Sequence, residues 1–189
     1  MESVEFAILD WIQQHLRCGF LDTVLPAVSW ICNHGEVWII LAAVLLLRKR
    51  DRWVGVSVAL ALVLDLVCCN LILKPLVDRV RPFAVNTAVE LLTAPPLDAS
   101  FPSGHTAAAC GVWLLLLLPE FFPRLQKRRT ACGIASTLYV CLAGFSRIVV
   151  GKHFLSDVAA GMLLMLLGFA LLCLVAQRLL PREGSTKTA

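Results

Sequence analysis

Between Trp53 and Leu73 the chain runs 21 residues with Asp65 as the only charged side chain. At 1.5 Å per residue, a helix of that length reaches about 30 Å, the thickness of a bilayer's hydrocarbon core. Few folds tolerate such a run, because in lipid every backbone N–H and C=O must be satisfied within the segment. The composition carries the same message along the whole chain. Of 189 residues, 59% are hydrophobic and 16% charged, with a mean hydropathy of +0.80. A soluble domain holds roughly 45–50% apolar and about 25% charged residues. Disorder, a collagen-like chain and a secreted disulfide scaffold are excluded. The expected class is an all-α, polytopic membrane bundle.

Further spans are expected at about Glu36 to Leu47, Ser103 to Phe122, Thr130 to Ser146 and Ser156 to Ala176. Ahead of them, Val4 to Leu16 mixes Phe6, Ile8, Leu9, Trp11 and Ile12 with Asp10, Gln13, Gln14 and His15, a pattern of an interfacial amphipathic helix. Leu21 to Cys32, about 18 Å as a helix, suits a half-span. This gives five crossings, with six as the competing count, and three regions: an N-terminal collar over 1–34, the bundle over 35–180 and a polar tail over 181–189. Met1 to Glu5 lacks the basic start of a signal peptide, so an uncleaved chain is expected.

Basic residues set the orientation. Net charge is +4, from 17 Lys and Arg against 13 Asp and Glu. Arg48 to Arg52, Arg124 to Arg129 and the end holding Arg178, Arg182 and Lys187 fall on one side by parity, and loops rich in Lys and Arg stay cytoplasmic. Arg17, Lys74, Arg79, Arg81, Arg147 and Lys152 then fall on the non-cytoplasmic side, and the C-terminus is cytoplasmic. Cys68, Cys69, Cys110, Cys132, Cys141 and Cys173 lie in apolar runs and read as small core hydrophobes. Cys18 and Cys32 lie outside the strong spans. The tryptophans read as interfacial anchors.

The non-cytoplasmic ends of the spans carry most of the chemistry. Lys74, Arg81 and Pro82 follow the second crossing, Pro102-Ser103-Gly104-His105 opens the third, and Ser146, Arg147, His153 and Asp157 join the fourth to the fifth. Four cations and Asp157 at mid-bilayer would cost about 2.5–3.5 kcal/mol each, together comparable with a stability of about 5–15 kcal/mol. They belong at the membrane surface or in a wet cavity, paired with one another or with an anion. Pro75 disfavours helical geometry at Lys74 and suits the start of a short helical turn. Lys74 and Arg81, seven apart, can share a face. Ser103 suits an N-cap, Gly104 permits close backbone approach, and the free N–H groups there suit an anion. His153 and Asp157, at i and i+4, let a carboxylate hold one imidazole nitrogen while the other faces a substrate. Two histidines, three cations and a helix N-terminus point to phosphoryl transfer. Asp65 and Asn70 read as bundle-interior hydrogen-bonding groups, Asp78 and Arg79 as solvated neighbours. The loop from Phe83 to Phe101, with Pro95, Pro96 and Asp98, is expected to shape the entrance.

These residues resemble the three-part signature of the type 2 phosphatidic acid phosphatase family: Lys, six residues, Arg-Pro; then Pro-Ser-Gly-His; then Ser-Arg, five residues, His, three residues, Asp. Every fixed position is present, at 74, 81 and 82, at 102 to 105, and at 146, 147, 153 and 157. The resemblance implies a metal-independent lipid phosphatase with no cofactor. Its partners would be a lipid phosphate or diphosphate and the bilayer, and no nucleic acid. His153 would form a phosphohistidine with Asp157 orienting it, and His105 would serve as acid and then base. Lys74, Arg81, Arg147, Ser103 and the Gly104 amide would hold the phosphoryl oxygens, with Pro82, Pro102 and Ser146 in support. The expected substrate is undecaprenyl diphosphate, with phosphatidic acid or phosphatidylglycerophosphate as the alternative and a non-catalytic membrane scaffold as the remote one. The expected location is the plasma membrane.

Overall fold

The computed structural model describes residues 2–31, 35–117 and 129–179. All regular elements among them are helical: α1 (Glu2–His15), α2 (Gly19–Ile31), α3 (Glu36–Leu47), α4 (Arg52–Asp65), a π-helical segment (Leu66–Leu73), α5 (Lys74–Val77), α6 (Pro82–Val85), α7 (Gly104–Leu117), α8 (Arg129–Val149) and α9 (Leu155–Leu179). Arg52–Val85 and Thr130–Val149 are long and apolar enough to cross a membrane, and Glu36–Leu47 and Leu155–Leu171 are shorter apolar helices. α7 lies against α4, α8 and α9, while α3 pairs with α4.

Small residues let these helices close up, as expected where lipid offers no hydrophobic drive between them. Ala107, Ala109, Cys110 and Ala143 are buried with Leu114, Val140 and Met165 in one cluster. A second cluster, Ala42, Leu45, Val54, Val58, Val112 and Leu115, seats α3 and α4 on α7. Outward positions are apolar too: Leu60, Val63, Leu71, Ile134, Leu138, Leu163, Leu167 and Leu171 are all more than half exposed. So many outward apolar side chains are what a bundle facing lipid would carry.

The N-terminal helices are part of the packed body. Leu9 and Ile12 of α1 and Leu25 of α2 are buried with Val89 of the loop and with Ile148, Val149, Val150 and Val158 around the α8–α9 turn. Trp11 faces outward, as do Trp30 and Trp53. Trp113 and Trp38 are not free anchors: Trp113 Nε1 donates to Thr137 Oγ1 at 2.9 Å, and Trp38 packs edge-on against Tyr139 at 5.5 Å. Cys69 and Cys110 are buried, Cys68 and Cys132 are half-buried, and Cys141 is exposed. For Cys141 the core reading is therefore corrected, since on a lipid-facing helix an apolar neighbourhood does not imply burial. Cys32, the Cys173 side chain, the tail and the basic segment 124–128 lie outside the described residues.

The helix expected as the second crossing departs most from the sequence reading. Lys74 is helical (φ −60°, ψ −51°), and its N–H bonds to Cys69 C=O, five residues back. No break occurs at Pro75, because the wide π turn leaves room for a ring that would crowd the carbonyl one α-helical turn earlier. The helix stops instead at Asp78, in the left-handed region at φ 44°. Lys74 and Arg81 thus sit on either side of a reversal, not on one helical face.

Candidate active site

At one end of the bundle, the end of the second crossing, the loop before α7 and the α8–α9 turn meet. Arg81 caps α6 in extended geometry, with Pro82 buried at the first helical position, where a missing N–H costs nothing. The Arg81 guanidinium is buried and heavily used. Nε and Nη2 donate to the Asp98 backbone oxygen and Oδ1, both at 2.8 Å, Nη2 also donates to Ala99 C=O at 3.2 Å, and Nη1 donates to Lys152 C=O at 2.9 Å. Lys74 donates to Asp98 Oδ2. One half-exposed carboxylate therefore bridges the two cations of the first motif. Partial burial works to raise the Asp98 pKa, but Lys74 and then Arg81 overcome it and hold it down at about 2.

The third motif lies just beneath. Arg147, in the last turn of α8, is buried and donates to Ser29 Oγ of α2. Its carbonyl accepts from the Lys152 and His153 N–H groups at 3.1 and 3.2 Å, which folds the turn back so that His153 faces Arg81. Ser146, also buried, donates to Ala143 C=O at 2.7 Å. His153 Nε2 is 3.2 Å from Arg81 Nη1, while Nδ1 lies 3.6 Å from Asp157 Oδ2. A guanidinium only donates, so Nε2 is the acceptor nitrogen and Nδ1 carries the proton. Burial above all, with Arg81 and Arg147 adding to it, pushes the His153 pKa down to about 4 against the opposing pull of Asp157. That shift favours the neutral ring, with its Nε2 lone pair directed to Arg81. Burial, then Arg147 and Arg81, also lowers Lys152 to about 8.

Asp157 has no exposed side-chain surface. Its Oδ2 accepts from Phe154 N–H at 2.9 Å and from Ser100 Oγ at 2.5 Å. The first of these is the carboxylate half of a capping box at the start of α9. Its Oδ1 accepts from Arg79 Nη1 at 2.6 Å. Ser103 N–H donates to the Asp157 backbone carbonyl at 3.0 Å, tying the start of α7 to the start of α9. Ser103 is buried, its carbonyl takes the first bond of α7 from Ala107, and its hydroxyl pairs with Thr106 Oγ1 at 3.0 Å rather than with a backbone N–H. Buried Pro102, joined to Phe101 by a cis peptide, leads in. His105 stands in the first turn of α7 with Nε2 shielded from solvent. The approach needs glycine in α9: a Cβ on Gly161 would sit 2.5 Å from Ser103 C=O. A Cβ on Gly104 would meet the Asn70 amide at 3.5 Å and Asp65 Oδ1 at 3.7 Å, so both polar residues of the second crossing back the Ser-Gly-His turn.

The structure thus links Lys74, Arg81, Arg147, Ser103, His153 and Asp157 through Asp98 and through the backbone carbonyls of Arg147 and Asp157, with Gly104 and His105 on the adjoining turn. One reading is corrected: Arg79 is not a solvated neighbour, because it is four-fifths buried against Asp157 and Glu5. Its neighbour Asp78 is exposed. Asp98, Ser100, Ser29, Glu5 and Lys152 enter the cluster without any periodic spacing to announce them.

A model of the PAP2 superfamily matches residues 52–181, and the chain belongs to that superfamily, the one its three motifs resemble. It is similar to the undecaprenyl-diphosphatase of Sulfolobus acidocaldarius, at 33% identity over 148 residues, 76% of this chain and 66% of that protein. It is also similar to phosphatidylglycerophosphatase B of Bacillus subtilis, at 33% identity over 124 residues, 65% of this chain and 58% of that protein. The chain spans 66% and 58% of the length of these two relatives. In three dimensions it is similar to the crystal structure of a transmembrane PAP2-type phosphatidylglycerolphosphate phosphatase from Bacillus subtilis. That match has a TM-score of 0.78 and 26% identity, and covers 97% of this chain and 89% of the other.

Proposed function

We propose that this protein is an integral-membrane lipid phosphatase working by a phosphohistidine on His153. The observation that carries the reading is the setting of that ring: neutral, Nδ1 toward Asp157, and Nε2 at 3.2 Å from an arginine that suits a phosphoryl oxygen. In the first step Nε2 attacks phosphorus, the P–O bond to the leaving group breaks, and His105 protonates the departing oxygen. In the second, His105 takes a proton from water, the resulting hydroxide attacks phosphorus, and the P–N bond breaks to free phosphate and neutral His153. Lys74, Arg81, Arg147, Ser103 and the Gly104 N–H hold the oxygens on which charge develops. Pro82, Pro102 and Ser146 shape the backbone that carries them. The reading calls for no metal or cofactor.

The exposed apolar flanks of the bundle suit a lipid tail lying between helices while its head group reaches the cations. With five crossings, as the apolar runs suggest, the distribution of basic residues puts the site on the non-cytoplasmic face and the C-terminus in the cytoplasm. The names of the relatives support a prenyl diphosphate, with undecaprenyl diphosphate as first choice and phosphatidylglycerophosphate or phosphatidic acid as second. The test is phosphate release by purified protein in detergent with EDTA, from each of these three lipids, with His153→Ala beside the wild type. Release that survives EDTA and is lost in the variant supports the histidine mechanism, and the preferred lipid selects the substrate. A folded sample that frees phosphate from none of them overturns the reading in favour of a membrane scaffold.

A further inference from the structure

The Asp157 side chain has no solvent contact, and the His153 ring stands 3.6 Å from its Oδ2, beyond hydrogen-bond reach. A buried carboxylate without a cation costs several kcal/mol. The cation that the structure supplies is Arg79, which lies outside the fixed positions of the three motifs. Its Nη1 donates to Asp157 Oδ1 and to Ser156 Oγ, each at 2.6 Å. Its Nη2 donates to Glu5 Oε2 of α1. The guanidinium carbon lies 4.1 Å from the centre of the Phe154 ring, and Phe6 of α1 meets that ring edge-on at 5.2 Å. Glu5 Oε1 also accepts from the Ser156 N–H at 3.4 Å. Arg79 and Glu5 are about one fifth and one seventh exposed, so this is a packed chain of charges rather than a surface pair.

We infer that Arg79, held in place by Glu5 of the N-terminal helix, is a positioning residue for the proposed phosphatase reaction: it fixes Asp157 and thereby makes α1 a structural part of the active site. The inference rests on the histidine mechanism above. Arg79 engages Oδ1, while Oδ2 accepts from Ser100 and the Phe154 N–H and lies 3.6 Å from His153 Nδ1. When the reaction makes His153 cationic, Asp157 must already be aimed at Nδ1. Losing Arg79 frees the carboxylate to turn, and a misplacement of about 1 Å in such a group costs about 10²-fold in rate. The phosphate ligands Lys74 and Arg81 lie on the other side of the ring, so substrate affinity is spared.

The experiment measures phosphate release in EDTA by full-length wild type, Arg79→Gln, Arg79→Lys, Glu5→Gln and the Glu5→Gln/Arg79→Gln double variant, using whichever of undecaprenyl diphosphate and phosphatidylglycerophosphate the wild type turns over faster. Thermal unfolding and gel filtration in the same detergent monitor folding. The expected result for Arg79→Gln is a fall in kcat of about 10²-fold with KM within about 3-fold. Arg79→Lys restores the charge without the fork and recovers about 10-fold of that loss. Glu5→Gln costs about 3- to 10-fold in kcat and nothing further in the Arg79→Gln background, because it acts through Arg79. Wild-type kcat in Arg79→Gln, a loss confined to KM, or multiplying losses in the double variant each overturn the inference while leaving the phosphatase reading intact. If Arg79→Gln does not fold, the Glu5→Gln and Arg79→Lys arms decide, since an unaltered kcat in both overturns it. No release by the wild type overturns the phosphatase reading and takes the inference with it.

Discussion

The two halves of the candidate site are built on opposite plans. Around Asp157 every partner is buried or nearly so, and the carboxylate is held by Arg79 and Ser100 of two loops and by the Phe154 N–H at the start of α9. Around Lys74 and Arg81 the closing partner is Asp98, a half-exposed loop residue whose carboxylate occupies both cations. A dyad must hold one geometry through a reaction. A phosphate site must release one anion to accept another, and an exposed carboxylate is an exchangeable placeholder where a buried one is not.

That contrast can be broken by experiment. The largest expected effect is on the fixed side: His153→Ala should lower phosphate release by about 10³-fold or more, since it removes the proposed nucleophile. Activity near wild type in that variant would remove the dyad from the reaction. Asp157→Asn should cost about 10²-fold or more in kcat, because the amide presents the wrong hydrogen-bonding face to Nδ1. On the exchangeable side, Asp98→Asn should act in the opposite sense, lowering KM by about 3- to 10-fold at nearly constant kcat by removing the resident anion. A higher KM would show that Asp98 orients the cations instead. The smallest effect is on acid stability. The folded pKa of His153 lies below its unfolded value near 6.5, so the unfolded chain binds the extra proton and stability falls as pH drops from about 6.5 toward 4. The folded pKa of Asp98 is also depressed, so the stability it contributes is present above about 4 and lost as pH falls toward 2. Thermal unfolding from pH 7 to about pH 2 should show both windows, with His153→Ala flattening the upper and Asp98→Asn the lower.

How far the sequence reveals this site follows from the same division. His153 and Asp157 are four apart and end on one helix start. Ser103 and Gly104 open a helix, and the apolar runs around them announce the bundle. Each is local geometry, which spacing encodes. Asp98, Ser100 and Glu5 reach the site from a loop and from α1, and only the packing of Leu9, Ile12, Val89 and Val150 puts those segments there. Arg79 sits within the first motif's spacer, yet what it touches lies 74 and 78 residues away. The expectation at Pro75 failed for a related reason, since whether a proline breaks a helix depends on the turn before it.

That turn separates two properties that hydropathy treats as one. A π turn closes over a longer backbone ring than an α turn, so the eight residues from Leu66 to Leu73 wind through a smaller angle than they would in an α-helix. Each residue removed there turns everything downstream by a large fraction of the roughly 100° of an α-helical residue, while shortening the span by less than about 1.5 Å. A chain lacking one of these residues would still insert and still measure as a full crossing, but Lys74 would swing away from Asp98 and Arg81. The register of the second crossing is a more sensitive coordinate of this protein than its length, and a deletion scan through it would separate membrane assembly from active-site assembly.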